Sequence, residues 1–425
     1  MSERTVRVPG DKSITHRALM FGALAGGTNR VRNALAGADP QATAAALRAL
    51  GCAVPPLDAR GELVFDGVGP AGLRSPAEPI DCANSGTTAR LLLGLLTGVP
   101  VRVTLTGDAS LRRRPMRRVT VPLARMGARF RELGEPDRLP IAVEGGELRP
   151  FDYDSPYASA QVKSALLLAG LTAGVRVTVT EPLLSRDHTE RMLAAMGARI
   201  ATERLPDGSA RIAIERTTSL TPLDIAVPGD FSSAAFFLAL GLLGASPVRI
   251  PAVGVNPTRA GLLPVLARMG ARVAVENPSV EGGEEVADIV AYPSELNATT
   301  VTGEEVPAMI DEIPVLAVLA ARATGETRIT GAGELRVKES DRLAALAENL
   351  RAIGGAAEEL PDGLVIEGSD LALRGTVRTH DDHRIAMAFG ILGATAVTDI
   401  AIDEPGVVDV SFPDFWELLR GEVAA

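Results

Sequence analysis

The sequence predicts an α/β protein made of six repeated units. Five helix-like segments each run into a glycine turn and then into a short apolar stretch, as expected for a helix followed by a strand. They read LRALGCAV (47–54), LARMGARF (123–130), LAAMGARI (193–200), LARMGARV (266–273) and LRAIGGAA (350–357). A sixth apolar segment, FWELLRG, ends at Gly421. Glycine supplies the left-handed cap after a helix, so the turn glycines mark the units: Gly51, Gly127, Gly197, Gly270, Gly354 and Gly421.

A shorter repeat predicts how these units are divided between domains. VPGDKS (8–13) returns as VPGDFSS (227–233), each time before a long apolar run. A Pro-Gly turn followed by Asp and Ser favours the start of a capped helix. We interpret the two copies as strands that cross between an inserted inner domain, 12–226, and a discontinuous outer domain, 1–11 with 227–425. Coincidence of a common turn sequence is the alternative, and the six-unit repeat argues against it.

Composition excludes several classes of protein. The chain has 425 residues, 46% of them hydrophobic, which suffices for about two or three domains with large cores. A net charge of -10 argues against a protein built mainly to hold nucleic acid. The N-terminus shows no signal or transit pattern, and apolar stretches such as 234–245 are too short to span a membrane. Cys52 and Cys82 are too few for a disulfide framework or a thiolate metal site. We expect a soluble, cytoplasmic protein.

Three short motifs suggest cofactors that their context argues against. GVGPAG (67–72) has the spelling of a dinucleotide loop, but Pro70 predicts that no helix opens there. GDKS lacks the spacing of a phosphate loop, since Asp11 separates the glycine from Lys12. HDDH (380–383) has metal-ligating residue types without a third cluster, so a structural or anion-contacting role is favoured. We expect neither a cofactor nor a metal.

Cationic residues recur where predicted segments begin. Free amides and the helix dipole already favour anions at helix N-termini, and the planar guanidinium recognises carboxylate and phosphate. NSGTT (84–88) adds a small-residue turn with exposed amides before an apolar helix. A run of arginines such as RRRPMRR also suits a solvated face. Together the separated cations indicate a substrate with several negative charges: Lys12, Arg17, Arg112, Arg113, Arg114, Arg186, Lys338, Arg342 and Arg384.

These motifs, in this order, resemble the EPSP synthase family over residues 6 to about 417. The matching stretches are VPGDKSITHRAL, NSGTTARLL, RRRPM, SAQVKSALLLAGL, SRDHTERML, IDEIP, RVKESDR and DHRIAMA. The resemblance implies transfer of the enolpyruvyl group of phosphoenolpyruvate to the 5-hydroxyl of shikimate 3-phosphate, with release of phosphate and without cofactor or metal. It also implies two inverted α/β domains of three units each, joined by two crossover strands, with the active site in the interdomain cleft of a monomer.

The resemblance assigns roles residue by residue. Proton transfer is expected of Asp311, Glu339 and Lys12. The expected contacts to shikimate 3-phosphate are Lys12, Ser13, Arg17, Ser159, Gln161, Ser185, Arg186, Asp311 and Lys338. The expected contacts to phosphoenolpyruvate are Lys12, Asn84, Gly86, Arg114, Gln161, Arg342 and Arg384. The chain departs from many members at Ala160, Glu334 and Val410, where others have Ser, Asn and Lys.

Two alternatives stay open at this point. A UDP-N-acetylglucosamine enolpyruvyl transferase would resemble this fold, but it carries a cysteine in the loop matching 108–115, and GDASLRRRP has none. A non-catalytic repeat scaffold could bind acidic partners through the arginines, although Asp311 and Glu339 would then have no use beyond helix capping. Phosphate release measured with each acceptor would separate the three.

Overall fold

A computed structural model describes residues 3–395 and 398–421 as two compact units. The first, here called the inserted unit, comprises Gly10–Val227 together with Glu281–Glu284. The second, here called the terminal unit, comprises Met1–Pro9, Pro228–Val280 and Glu285–Ala425. Each unit has its own continuous hydrophobic core.

Strands and helices alternate along the chain, with the α/β pattern that the repeats predict. The strands are β1 (Arg4–Thr5), β2 (Gly26–Arg32), β3 (Leu63–Val68), β4 (Ile80–Asp81), β5 (Arg102–Thr106), β6 (Arg129–Glu132), β7 (Ile141–Glu144), β8 (Phe151–Asp154), β9 (Val177–Glu181), β10 (Ile200–Arg204), β11 (Ala210–Ile214), β12 (Asp224–Ala226), β13 (Val248–Gly254), β14 (Arg272–Glu281), β15 (Glu284–Tyr292), β16 (Thr300–Val301), β17 (Glu326–Ile329), β18 (Ala356–Leu360), β19 (Gly363–Glu367), β20 (Leu373–Val377) and β21 (Thr398–Ile402). The helices are α1 (Lys12–Leu24), α2 (Ala38–Ala49), α3 (Gly69–Gly72), α4 (Gly86–Thr97), α5 (Arg117–Met126), α6 (Ala160–Ala173), α7 (His188–Ala195), α8 (Phe231–Leu243), α9 (Leu262–Arg268), α10 (Ile313–Ala320), α11 (Arg342–Ala352), α12 (His383–Gly393) and α13 (Phe415–Arg420).

In the described ranges the strands form six small sheets, three in each unit. The inserted unit has the orders β12-β2-β3, β4-β5-β7-β6 and β10-β11-β9-β8. The terminal unit has β1-β13-β15-β14, β16-β17-β19-β18 and β20-β21. Most sheets mix parallel and antiparallel pairs; β4 and β5, for example, are parallel, whereas β5 and β7 are antiparallel. The prediction of six α/β units is confirmed.

Two kinds of helix build each unit. The helices α1, α4, α6, α8, α10 and α12 lie in the cores and are buried on nearly all sides, since most of their residues are apolar. The helices α2, α5, α7, α9, α11 and α13 bury only one side. A glycine ends each of this second set with φ between 77° and 115°. Only glycine adopts this left-handed backbone without strain, so the predicted caps are confirmed.

The first repeat differs from the predicted helix-Gly-strand order. No strand begins directly after Gly51, and β3 starts only at Leu63. Pro55 and Pro56 explain the delay, since proline has no amide hydrogen for a strand ladder. The expectation that no helix opens at GVGPAG was also wrong in detail, because α3 forms one turn there with Pro70 in its first turn, where proline is tolerated.

Both Pro-Gly-Asp copies start a buried helix, as predicted. Asp11 caps α1 by accepting a hydrogen bond from the Ile14 amide at 2.8 Å. Asp230 caps α8 by accepting from the amides of Ser232 and Ser233 at 2.7 and 3.2 Å. Such caps satisfy amides that the helix itself leaves unpaired.

Candidate active site

Lys12 and Ser13, both predicted site residues, begin helix α1 of the inserted unit. Lys12 Nζ pairs with Asp39 Oδ2 at 3.0 Å, and the side chains are 18% and 12% exposed. Asp39 stands in the first turn of α2, so this ion pair joins the starts of two helices. Ser13 is half-buried beside Lys12. An anion that reaches Lys12 must therefore share the ammonium group with Asp39.

Arg17 lies one turn further along α1 and is bound by protein groups. Its guanidinium donates through Nε to Thr189 Oγ1 at 2.7 Å and through Nη2 to Ser164 Oγ at 2.9 Å. A third bond runs from Nη1 to the Ser13 carbonyl oxygen at 3.0 Å. Burial lowers the pKa of Arg17 to about 10, which still leaves it charged at neutral pH. Sequence reasoning missed Thr189 and Ser164.

The loop that carries Ser185 and Arg186 is held by a buried charge cluster. Lys163 Nζ lies 2.8 Å from Glu181 Oε1 and 2.7 Å from Glu190 Oε1, and it donates to the Ser185 carbonyl at 3.1 Å. Glu181 in turn accepts from the Ser185 amide at 2.8 Å and from its hydroxyl. Burial acts to lower the pKa of Lys163, but the two glutamates outweigh it and raise that pKa. The cluster keeps Ser185 in place directly before α7, next to the half-buried Arg186.

The NSGTT turn presents Asn84 at the start of α4. Ser85 is the N-cap and accepts from the Thr88 amide at 3.1 Å. Ala83, just before the turn, has φ of 49°, a left-handed backbone that a non-glycine residue adopts at a cost. Arg114 donates from Nη2 to Asn84 Oδ1 and is 9% exposed. The structure thus brings together two residues predicted to contact phosphoenolpyruvate.

Arg90 organises the space around Gly86 and Gln161. It donates from Nη1 to Gln161 Oε1 at 2.8 Å and from Nη2 to the Pro115 carbonyl at 3.2 Å. Gln161 donates from Nε2 to Thr87 Oγ1 at 3.1 Å. A Cβ atom at Gly86 would lie 2.8 Å from Arg90 Nη1, so the guanidinium occupies the place that a side chain would take. Sequence reasoning missed Arg90, although a lone arginine inside the apolar run ARLLLGLL was a possible signal.

One predicted contact of the inserted unit remains to be placed, Ser159. Ser159 is the N-cap of α6, and its side chain makes no capping hydrogen bond. In the terminal unit, Val410 ends a short 3₁₀ helix, Pro405–Val410, and is half-buried.

In the terminal unit, three cations converge on the Asp311 carboxylate. Its Oδ1 lies 3.3 Å from Arg342 Nη1, 3.6 Å from Lys338 Nζ and 3.9 Å from Arg384 Nε. Arg384 also donates to the Asp311 main-chain carbonyl at 3.1 Å. The sequence places these residues in three separate segments, and the structure brings them together around one carboxylate.

Arg342 is the central cation of this group and is 1% exposed. Its Nε donates to Asp382 Oδ2 at 2.7 Å, and its Nη2 to Glu339 Oε2 at 2.6 Å. Burial acts to lower the pKa of Arg342, yet Asp382, Glu339 and Asp311 together raise it. Three carboxylates thus keep this guanidinium charged and fix its plane.

Asp382 is the residue of the HDDH motif that organises the site. Besides pairing with Arg342, it caps α12 by accepting from the Arg384 amide at 2.9 Å, and it accepts from Ser340 Oγ at 3.0 Å. Burial acts to raise its pKa, but the charge of Arg342 outweighs this and lowers it. His380 and Asp381 precede it with φ of 52° and 58°. Strained backbone of this kind clusters at functional sites.

A second buried ion pair supports the turn that carries Asp311. Glu312, next in the chain, lies with its Oε1 2.7 Å from Arg259 Nη1. Arg259 Nη2 is 3.2 Å from Asp230 Oδ1, and Ser232 Oγ bonds to both Arg259 and Glu312. Arg259 and Glu312 are at most 3% exposed. This cluster anchors the short 3₁₀ helix Ile310–Glu312. Sequence reasoning missed both Arg259 and Glu312.

Each unit therefore offers cations held in fixed positions by protein groups: mainly carboxylates in the terminal unit, and hydroxyl, amide and carboxylate oxygens in the inserted unit. Such an arrangement suits anionic substrates whose reaction needs both an acid and a base. Within 3–395 and 398–421, no three His, Cys, Asp or Glu side chains form a group able to hold a metal ion. None of the helices in these ranges combines the length and the hydrophobicity that a transmembrane span requires.

Comparison with known proteins gives full-length matches. Residues 2–419 match the sequence model of the family described as EPSP synthase (3-phosphoshikimate 1-carboxyvinyltransferase). The 3-phosphoshikimate 1-carboxyvinyltransferase of Gloeobacter violaceus is 50% identical over 97% of this chain and 95% of its own length. The enzyme of that name from Desulforamulus reducens is 47% identical over 98% and 96%. The structure of EPSP synthase from Acinetobacter baumannii superposes with a TM-score of 0.86, at 42% identity, over 99% of this chain and 95% of its own.

Proposed function

Because this chain belongs to the EPSP synthase family, we propose that the clustered residues of its two units bind phosphoenolpyruvate and shikimate 3-phosphate and transfer protons between them. The predicted family, fold and activity are confirmed: the chain is a 3-phosphoshikimate 1-carboxyvinyltransferase of aromatic amino acid biosynthesis. The UDP-sugar transferase and the non-catalytic scaffold are thereby set aside. The roles that we assign to individual residues in binding and proton transfer are our proposal.

The observation that carries the assignment of roles is the convergence of Lys338, Arg342 and Arg384 on Asp311. A carboxylate surrounded by cations that can also hold phosphate or carboxylate groups lies where an anionic substrate would be bound. It can accept a proton from a substrate hydroxyl at that point. We assign Arg342 and Arg384 to phosphoenolpyruvate and Lys338 to shikimate 3-phosphate.

The cations of the inserted unit complete the proposed binding set. Asn84, Gly86, Arg114 and Gln161 are assigned to phosphoenolpyruvate. Shikimate 3-phosphate is assigned to Ser13, Arg17, Ser159, Gln161, Ser185 and Arg186, with Lys12 between the substrates. Support comes from the buried partners that hold Arg17 and Ser185, since a positioned donor loses less entropy on binding an anion.

The proposed reaction has two steps whose protons balance. In the first, Asp311 takes the proton of the 5-hydroxyl of shikimate 3-phosphate. The hydroxyl oxygen forms a bond to C2 of phosphoenolpyruvate, and C3 receives a proton from Glu339 or Lys12. In the second, that group takes a proton back from C3, the C2–O bond to phosphate breaks, the double bond re-forms, and Asp311 passes the hydroxyl proton to the departing phosphate. The arginines stabilise the charge on carboxylate and departing phosphate.

The test is phosphate release from phosphoenolpyruvate, measured with shikimate 3-phosphate and with UDP-N-acetylglucosamine as acceptors. Release is expected only with the first. Release with the UDP-sugar alone would reverse the assignment of the acceptor.

Two further expectations belong to this proposal. The inserted and terminal units are proposed to be the two domains of the enzyme, and the enzyme is proposed to act as a cytoplasmic monomer. Light scattering coupled to size-exclusion chromatography tests the monomer, with a mass near 44.2 kDa expected. A mass twice as large would contradict it.

A further inference from the structure

A chain of hydrogen bonds runs beneath the predicted anion contacts of the inserted unit. His16 Nδ1 lies 2.7 Å from Thr43 Oγ1, which lies 2.7 Å from Thr88 Oγ1. Thr88 Oγ1 lies 2.7 Å from Ser85 Oγ. All four side chains have 0% exposure, so water does not reach these groups to replace a lost partner.

This chain of hydrogen bonds connects three helices that carry site residues or their partners. His16 is on α1, whose first residue is Lys12. Thr43 is on α2, which carries Asp39, the partner of Lys12. Ser85 and Thr88 form the start of α4. A change at His16 therefore reaches the NSGTT turn through hydroxyl groups alone.

The order of donors fixes the state of the histidine. Thr88 donates its hydroxyl proton to Ser85, so it must accept from Thr43. Thr43 has then given its only proton and must accept from His16 Nδ1–H. Nδ1 of His16 therefore carries a proton in the folded chain. Burial lowers the pKa of His16 to about 3, which agrees with a neutral ring.

Nε2 of His16 has no hydrogen-bond partner among the described residues. A buried imidazole with one unused nitrogen is costly, whereas an aliphatic side chain at the same place would leave nothing unsatisfied. Only the Nδ1 bond to Thr43 accounts for a polar ring here.

We infer that His16 is a positioning residue: as an Nδ1–H donor it orders Thr43, Thr88 and Ser85 and so holds Asn84 and Gly86 in the geometry that binds phosphoenolpyruvate. The inference rests on the proposed function, which places phosphoenolpyruvate at Asn84 and Gly86. It goes beyond that function because His16 itself touches neither Asn84 nor Gly86 and acts through three hydroxyl groups.

Amide substitutions test which nitrogen matters. His16→Asn places an amide donor near the Nδ1 position, whereas His16→Gln places it near Nε2. We expect His16→Asn to keep the KM for phosphoenolpyruvate within about twofold of the parent enzyme. His16→Gln and His16→Ala should raise that KM about tenfold, the effect of one lost buried hydrogen bond. The kcat should change by less than about threefold in each case.

The threonines provide matched variants should the histidine variants fold poorly. Thr43→Ser keeps the hydroxyl and should behave as the parent, whereas the isosteric Thr43→Val should raise the KM as His16→Gln does. Thr97→Val is the control. Thr97 is also buried and lies on α4, and its hydroxyl donates within its own helix, to the Gly94 carbonyl at 2.7 Å. Loss of the Thr97 hydroxyl should lower the melting temperature without changing the KM for phosphoenolpyruvate.

Two readouts decide between a positioning and a merely structural role. Nitrogen-15 NMR of the imidazole should show the proton on Nδ1, and an Nε2–H tautomer would overturn the inference. Equal KM values in all variants, with only melting temperatures changed, would overturn it as well. If the parent enzyme itself transferred no enolpyruvyl group, the proposed function would be wrong, whereas the inference on His16 would not yet be decided by the KM values. Calorimetric binding of phosphoenolpyruvate to the same variants would then still test His16.

Discussion

Arg342 and Asp382 form a two-point ion pair in the terminal unit: Nε donates to Oδ2 at 2.7 Å and Nη2 to Oδ1 at 3.3 Å. Both side chains are at most 1% exposed. A buried guanidinium without a fixed counter-charge would be costly, so this pair determines where Arg342 points and which of its nitrogens remain for Asp311 and Glu339.

Asp382→Asn should weaken both the fold and the binding of phosphoenolpyruvate. The amide still caps α12 but leaves the buried charge of Arg342 less compensated, so the free energy of unfolding should fall by about 3 kcal/mol. The KM for phosphoenolpyruvate should rise. Asp341→Asn is the matched control, since Asp341 likewise caps a helix, α11, by accepting from the Ala344 amide. Urea unfolding and steady-state kinetics give both quantities; equal effects of the two substitutions would contradict the special role of Asp382.

Asp311→Asn and Glu339→Gln should lower kcat by about 10² to 10⁴, the usual contribution of a positioned acid or base. Both changes keep the shape of the side chain, so the dissociation constant of shikimate 3-phosphate should change little. Arg384→Ala should mainly raise the KM for phosphoenolpyruvate, because it removes binding shared by ground and transition states. Near-normal kcat in the amide variants would move the proton transfer to Lys12 or His383.

The resemblance to the EPSP synthase family implies that the inhibitor glyphosate binds in the space beside Gly86. Gly86→Ala should therefore weaken the binding of both phosphoenolpyruvate and glyphosate. The new Cβ would lie 2.8 Å from Arg90 Nη1 and 3.4 Å from Arg114 Nη1, so the guanidinium groups must move. Loss of one charged hydrogen bond would cost about tenfold in each constant. Gly26→Ala is the control, since nothing lies within 4 Å of a Cβ there. An unchanged inhibition constant for Gly86→Ala would remove Gly86 from the site.

Replacing both Cys52 and Cys82 with alanine should preserve turnover. Both thiols are buried, and burial raises the pKa of Cys82 to about 12, so almost no reactive thiolate is present at neutral pH. The double variant should lose on the order of 1 kcal/mol of stability per site through lost packing. Thermal unfolding and kinetics measure the two effects; a folded variant without turnover would show that a cysteine is required.

His16 should make the fold sensitive to acid. Burial keeps the folded-state pKa at about 3, below the ordinary value of 6.5, so the unfolded chain binds a proton between these values and the folded chain does not. Stability from this group is fully present above pH 6.5 and is lost by about 1.4 kcal/mol per pH unit as the pH falls toward 3. Asp39, Lys12 and Arg17 are its charged neighbours. Urea unfolding at several pH values should show a shallower dependence for His16→Asn; identical slopes would mean that His16 titrates normally.

Local rules account for what the sequence predicted correctly. Each turn glycine, such as Gly127 with φ of 115°, acts through the backbone of its own helix end. The caps Asp11 and Asp230 bond to amides two or three residues away. Apolar runs such as α8 are buried because they have no polar face. The interruption at Pro55 was missed because the turn pattern was extended over a segment that cannot join a ladder.

Identification of the anion contacts from sequence relied on motifs. Arg90, Ser164 and Thr189 stand inside the same motifs, but a motif does not show which anion contact each of them holds in place. Arg90 bonds to Gln161 across 71 residues, and Arg17 to Thr189 across 172. The lone arginine in ARLLLGLL is unusual, but no local pattern predicts that Arg90 bonds to Gln161 or that Thr189 bonds to Arg17.

The sequence by itself therefore determined the elements, their caps and the places where cations stand, because these depend on residues a few positions apart. Tertiary structure alone decided which carboxylate faces which cation, as in Arg342 with Asp382 and Arg259 with Glu312. The physical reason is desolvation: a charge removed from water requires a partner at hydrogen-bond distance, and folding supplies that partner from whichever segment the packing of the cores brings alongside.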